Sequence, residues 1–168
     1  TFQIDPKSVE TKITDKTKAI ISVALYGGSP DYRMLNSIRG SRIALIEDNA
    51  EAIGTKYENR NLGTFGEFSS YSFQTSKHLT SGEGGMLCTN NIELADKARK
   101  IQSLGYKSVG ATQQKITKET VQNPNFDRHI SLGWNYRLSE IQAAIILGQI
   151  ENAQSLIKIR VEAANSIK

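Results

Sequence analysis

A lysine, an aspartate and a run of small hydroxylated residues carry the chemistry available to this chain. Lys77 stands in Ser72-Phe73-Gln74-Thr75-Ser76-Lys77-His78-Leu79-Thr80-Ser81-Gly82-Glu83-Gly84-Gly85, just past a short apolar strand. Asp48 closes an earlier strand-like run, Ile43-Ala44-Leu45-Ile46-Glu47-Asp48. A lysine amine is a nucleophile toward carbonyl carbon, and hydroxyl-rich loops hold phosphates. A carboxylate at the end of a neighbouring strand can keep a pyridine nitrogen protonated and make the ring an electron sink. Amine, carboxylate and phosphate cradle together suggest pyridoxal phosphate.

The elements that must position these groups alternate between strand and helix, the pattern of an α/β fold with a mostly parallel sheet flanked by helices. Thr1 opens the chain before a strand-like segment, and Ala19 to Leu25 is a continuous β-rich run stopped by Gly27-Gly28. Residues 43–46 form a second buried strand, and Ser69 to Phe73 and Gly85 to Thr89 two more; Asp31 to Ile38 reads as a short helix. Asn91 caps a helix with Leu94, Ala98, Ile101 and Leu104 on one face, closed by Gly105. Residues 106–131 are polar and irregular, with Lys115, Lys118 and the turn pair Asn123-Pro124. Ser139-Glu140-Ile141-Gln142 is a capping box that starts one long amphipathic helix over 139–168, with Leu138, Ile141, Ile145, Ile150, Leu156 and Ile157 as its apolar stripe.

Asp48 and Ser72 fall at strand ends, and the carboxyl ends of parallel strands are where α/β sheets bind ligands. Position alone leaves bland roles open. Asp48 is equally a turn former, Ser72 a strand-end serine bonding its own backbone, Glu51 an exposed acid in the first turn of a helix, and Lys77 a solvated surface charge.

The same residues resemble a family. Ile46-Glu47-Asp48-Asn49-Ala50-Glu51-Ala52-Ile53-Gly54, Leu62-Gly63-Thr64-Phe65-Gly66, the Ser72 to Gly85 run and Gly133-Trp134-Asn135-Tyr136-Arg137-Leu138-Ser139-Glu140-Ile141-Gln142-Ala143-Ala144 follow in the order seen in DegT-type nucleotide-sugar aminotransferases. The resemblance implies part of the large domain of a fold type I pyridoxal-phosphate enzyme, with Lys77 holding the cofactor as a Schiff base and moving the proton during transfer. It implies that Asp48 pairs with the pyridine nitrogen, Ala50 packs beneath the ring, Glu51 approaches the ring oxygen and Ser72 binds the phosphate. It also implies that Asn135 reaches a partner subunit's phosphate, so that a homodimer shares its active sites. Trp134 reads as a packing residue, the loop glycines as structural residues that let the backbone turn sharply, Glu83 as a loop anchor, and Arg128 and His129 as groups that could meet an anionic substrate.

The activity so implied is amination of a nucleotide-linked keto-sugar by a donor such as glutamate. Related sugar dehydratases carry histidine at the lysine position, so Lys77 favours transamination. A dehydratase and a non-catalytic regulatory protein on the same fold are the alternatives. Relatives in the family are more than twice as long, which makes this chain their central part, expected to be inactive alone, with 139–168 leading toward a small domain.

The protein is expected in the cytoplasm, and its mild positive charge suits an anionic ligand as well as it suits a plain solvated surface. Net charge is +4 from 21 basic and 17 acidic residues spread along 168 positions, without the basic patch of a nucleic-acid binder. The single cysteine, Cys88, rules out an internal disulfide framework and reads as a small buried hydrophobe. No stretch is apolar for the length of a membrane span.

Overall fold

The computed structural model describes residues 2–109 and 117–167, so Lys115 lies outside the described residues. The chain forms two compact units, one from 1–88 with 138–168 and one from 89–137. In the first unit, Asp5 accepts the Lys7 N–H at 3.1 Å and Pro6 opens helix α1 (Pro6–Glu10), where a proline loses no helical hydrogen bond. The strand-like opening expected from the sequence is thus a capped helix. Strand β1 (Ala19–Val23) leads through a 3-10 turn, Leu25–Gly27, to helix α2 (Tyr32–Arg39), capped by Asp31 on the Met34 N–H at 2.9 Å. Strand β2 (Ala44–Asp48) is followed by a small ribbon of β3 (Lys56–Tyr57) and β4 (Arg60–Asn61), turned at Glu58 and Asn59 with positive φ of 48° and 65°.

Strands β5 (Phe68–Ser72) and β6 (Gly85–Cys88) complete a four-stranded sheet of order β1-β2-β5-β6. β1, β2 and β5 run parallel, and β6 returns antiparallel to β5. Register sets Val23 beside Asp48 and Asp48 beside Ser70, which brings the carboxyl ends of the three parallel strands level. The core on one face gathers Ile20, Leu35, Ile43 and Leu45 around Tyr32, whose ring stacks on Phe65 at 4.7 Å. β1 alternates: Ile20 and Ser22 are buried while Ile21 and Val23 are exposed.

Glu47 explains why the Leu62 to Gly66 run sits under the sheet. Its carboxylate is fully buried and accepts the N–H groups of Gly63, Phe65 and Gly66 at 2.5, 2.6 and 2.7 Å. Hydrogen bonds to a charged group are strong enough to fix a loop that has no regular structure. Gly66 passes against the Leu45 carbonyl, where a Cβ would collide with backbone.

In the second unit, Asn91 accepts the Glu93 and Leu94 N–H groups and starts helix α3 (Ile92–Gln102). Gly105, with φ 76°, closes it by donating its N–H to Lys100 O at 2.8 Å. The stretch expected to be irregular contains a short helix, α4 (Lys118–Gln122), capped by Thr117. Trp134, expected to be packed, is exposed and stacks with Tyr136 at 6.0 Å.

Back in the first unit, both halves of the Ser139–Gln142 capping box form at the start of α5 (Glu140–Glu151). The single helix expected over 139–168 is two helices, because Asn152 breaks the run at φ −104°, ψ 10° before α6 (Ala153–Ser166). α5 buries Ile146 against Phe73 and Leu79, while Ile141 and Ile145 of the expected stripe are exposed. Isoleucine and leucine occur all round this helix, so periodicity could not select its inner face. No helix among the described residues is long and apolar enough to cross a membrane.

Candidate active site

The carboxyl ends of β1, β2 and β5 open onto a cavity of about 370 Å³ whose walls include Tyr26, Asn49, Ala50, Glu51, Ser72 and Lys77. Ligand pockets start near this size. Lys77 lies on the loop after β5, held by its N–H to Gln74 O at 2.9 Å. Its Nζ is 3.5 Å from Glu51 Oε1, and Glu51 Oε2 accepts the Tyr26 N–H at 3.0 Å. The Tyr26 N–H, and after it the Lys77 charge, hold the Glu51 carboxyl below its ordinary value. Residues 49–55 form consecutive turns, Ala52 N–H to Asn49 O at 3.0 Å and Thr55 N–H to Ala52 O at 3.1 Å, so Glu51 reaches the cavity from a turn and not from a helix.

Asp48 stands one residue before the cavity wall. Its Oδ1 accepts the Ala50 N–H at 3.1 Å and the Ser70 hydroxyl at 3.4 Å, which leaves Oδ2 without a hydrogen-bond partner among the described residues. The hydroxyl-rich loop sorts itself as clearly. Thr75 donates to Gly82 O at 2.8 Å, Thr80 to Phe73 O at 3.0 Å and Ser81 to Glu83 O at 2.9 Å, so these hydroxyls brace the loop. Ser72 Oγ only accepts, from the Gln74 N–H at 3.3 Å, and keeps its own proton for a ligand. Glu83 anchors the loop through its carbonyl, which also takes Gln142 Nε2 at 3.0 Å, while Thr80 N–H bonds Gln149 Oε1 at 2.7 Å.

Lys77, Glu51, Ser72 and Ala50 therefore share one cavity, with Asp48 at its margin. Asn135 belongs to the second unit, where its Oδ1 accepts Arg137 Nε at 2.8 Å and its backbone bridges Ser103. Arg128 and His129 lie in that unit too, His129 with its ring 4.8 Å from Tyr106. Tyr26 and Asn49 are among the wall residues that the sequence reading did not single out. Tyr26 follows the end of β1 and could have been found from the strand-end rule that singled out Asp48. Asn49 carries a buried carboxamide whose Oδ1 and Nδ2 have no hydrogen-bond partner among the described residues, which no sequence signal announces.

The sequence pattern of the DegT/DnrJ/EryC1/StrS aminotransferase family matches residues 1–168. The chain belongs to that family. Within the DegT/DnrJ/EryC1/StrS group it is 38% identical over 169 residues to GDP-perosamine synthase of Escherichia coli O157:H7, covering 100% of this chain and 42% of that one. L-glutamine:2-deoxy-scyllo-inosose aminotransferase of Micromonospora echinospora is 40% identical over 152 residues, 90% of this chain and 35% of the relative. A pleiotropic regulatory protein of Geobacillus stearothermophilus is 42% identical over 148 residues, 87% and 35% of the two chains. The chain thus spans less than half the length of these relatives.

Solved structures give the same fold. GDP-4-keto-6-deoxy-D-mannose-3-dehydratase of E. coli, with bound hydrated PLP, superposes with a TM-score of 0.84 at 30% identity, over 98% of this chain and 43% of that one. The aminotransferase PseC of Helicobacter pylori, involved in pseudaminic acid biosynthesis, superposes with a TM-score of 0.83 at 32% identity, over 96% and 40%. The family resemblance and the α/β, mostly parallel architecture read from the sequence both hold.

Proposed function

We propose that this chain carries the cofactor-attachment region of a pyridoxal-phosphate-dependent aminotransferase that converts a nucleotide-linked keto-sugar into an amino sugar, with an amino acid such as glutamate as donor. The observation that carries the reading is the presentation of Lys77 Nζ in a cavity at the carboxyl edge of the sheet, beside Glu51 and Ser72. The residues suit the cofactor. Asp48 has an oxygen to spare for a ring N–H, Ser72 has a proton to give a phosphate, and the wall residue Ala50 is small. When bound, pyridoxal phosphate supplies the electron sink on which an amino group is exchanged.

Each side chain then has a task of its own. The Lys77 amine would be the attachment point for the cofactor and the base that carries a proton. Asp48 keeps the ring nitrogen protonated by charge and hydrogen bond. Glu51, tied by the Tyr26 N–H and close to Lys77 Nζ, limits where Lys77 can swing and would serve the ring oxygen. Asn135 would serve a partner's phosphate in a homodimer. The chain would be the central part of the large domain, with α6 leading toward a second domain.

A regulatory role is the second reading, supported by the 42% identity to a pleiotropic regulatory protein. The presence of Lys77 argues against the dehydratase chemistry named for one of the structural relatives. Borohydride reduction of the cofactor-loaded full-length protein, followed by peptide mapping, should place the label on Lys77; a label on another lysine removes the assignment. Mass spectrometry with a panel of nucleotide-linked keto-sugars should then show an amino-sugar product, and its absence with every donor would favour the regulatory reading.

A further inference from the structure

Tyr26 occupies a backbone conformation that its residue type disfavours. At φ 54° and ψ 29° it lies in the left-handed region, followed by Gly27 at φ 73°. Glycine meets no resistance there, but the tyrosine Cβ does. The turn is held in this shape from three sides. Glu51 Oε2 accepts the Tyr26 N–H at 3.0 Å, Gln3 Nε2 donates to Leu25 O at 2.9 Å, and Thr55 Oγ1 donates to Gly27 O at 3.1 Å.

Among the described residues, packing of the ring does not offset the strain. Tyr26 is 76% exposed, and its aromatic contact is an edge-on one with Phe2, itself exposed, at 5.8 Å. Folding alone would be served better by glycine. A strained, pinned turn that holds an aromatic side chain in water at the wall of the Lys77 cavity is an arrangement suited to ligand contact.

Position limits what Tyr26 can touch. The Tyr26 N–H and the Lys77 Nζ are bound to the two oxygens of one carboxylate, Glu51, at 3.0 and 3.5 Å. Lys77 marks where a carbonyl carbon reacts. A sugar ring that brings its carbonyl to the Lys77 side of the cavity would lie in the same cavity that Tyr26 lines. An aromatic face is matched to the C–H face of a pyranose, and the phenol at its rim can bond a sugar hydroxyl.

We propose that Tyr26 is a substrate-contacting residue whose ring receives the hexose ring of the keto-sugar at the cavity mouth; this rests on the aminotransferase reading above. The test uses Tyr26→Gly and Tyr26→Phe in the cofactor-loaded full-length protein. Glycine accepts the left-handed backbone, so the turn and its bond to Glu51 persist while the ring is lost. Phenylalanine keeps the ring and loses the hydroxyl. The two half-reactions are followed separately by cofactor absorbance, first with L-glutamate or L-glutamine, then with nucleotide-linked 4-keto-hexoses that include GDP-4-keto-6-deoxymannose.

Cofactor affinity, read by absorbance titration, and the donor half-reaction should match wild type in both variants. The KM for the sugar should rise about tenfold or more in Tyr26→Gly and by less than about threefold in Tyr26→Phe. An unchanged sugar KM in Tyr26→Gly overturns the proposal, and so does an equal loss in cofactor affinity or in the donor half-reaction, which would make the ring part of the cofactor site. A wild-type protein that takes an amino group from the donor and passes it to no keto-sugar overturns the aminotransferase reading and the Tyr26 contact with it. That result is distinct from failure of the contact alone.

Discussion

Glu51 Oε1 lies 3.5 Å from Lys77 Nζ, while Oε2 of the same carboxylate accepts the Tyr26 N–H at 3.0 Å. One side chain thereby joins the exits of β1, β2 and β5 at the edge of the sheet. The pair is partly exposed, so its contribution to stability is small. Its value is geometric, since a lysine side chain has four rotatable bonds and a reacting amine must point at one place. The loop that carries Lys77 is braced separately, by Thr75, Thr80 and Ser81 on its own carbonyls and by Gln142 and Gln149 of α5.

Asp48→Asn keeps the shape of the strand end and removes the charge that would hold a proton on the cofactor ring. The Ala50 N–H and Ser70 hydroxyl can still be accepted by the amide oxygen. Cofactor should therefore remain attached to Lys77 while turnover falls on the order of a hundredfold or more. Steady-state kinetics of the full-length protein decide this. Near-normal turnover would make Asp48 a turn residue and nothing more.

Glu47 supplies a prediction about stability. It is fully buried and satisfies the N–H groups of Gly63, Phe65 and Gly66. Glu47→Ala strands those donors without water and should cost about 3 kcal/mol or more. Glu47→Gln keeps one acceptor oxygen but turns an NH₂ group toward N–H donors, for a loss of about 2 kcal/mol. Urea denaturation reads both, and a wild-type midpoint for Glu47→Ala would show that the loop finds other acceptors.

Acid should weaken the pairing of Glu67. Burial pushes this carboxyl up, but the Leu45 N–H at 2.6 Å and the Arg39 guanidinium at 2.9 Å outweigh it and hold the group below its ordinary 4.5. A carboxyl lowered on folding contributes stability that is fully present above its unfolded value and is lost as pH falls through its folded value. The difference in denaturation midpoint between wild type and Glu67→Gln should thus be largest above pH 4.5 and shrink below it. A difference that stays constant from neutral pH into strong acid would mean that the carboxylate charge plays no part.

Much of this was legible in the sequence where chemistry is local. Asp31, Asn91 and Ser139 announce helix starts because their side chains bond the next turn, and each does so. Asp48 and Ser72 were singled out because strand ends are where α/β sheets place ligand groups, and Ser72 lies in the cavity wall with Asp48 one residue before it. The faces of α5 were not legible, since an all-round apolar helix has no preferred side until Phe73 and Leu79 choose Ile146. The break at Asn152 and the short helix α4 carry no strong local signal. Which hydroxyls of the Lys77 loop stay free depends on how far each lies from a carbonyl, and only the folded loop shows that Ser72 keeps its proton while Thr80 and Ser81 do not. The Glu51–Lys77 pair joins turns from different parts of the chain, a contact that spacing alone does not reveal.

Asn135 gives the last prediction, about assembly. Its carboxamide oxygen is held by Arg137 in the second unit, and the family resemblance gives it a place at a two-fold interface, serving the partner's site. In a closed two-fold dimer each site is then completed by the other subunit. Lys77→Ala protein, which should be inactive, and Asn135→Ala protein, which should be strongly impaired, can be mixed in the full-length form and allowed to exchange subunits. If Lys77 and Asn135 of different subunits meet, a mixed dimer has one site with both defects and one with neither. Random reassortment of equal amounts should restore about a quarter of wild-type sites. If both residues act within one subunit, every site of the mixed dimer carries one defect and no activity returns. Absence of recovery after exchange has been verified, for example by native mass spectrometry of differently tagged subunits, would return Asn135 to the role of a loop residue paired with Arg137.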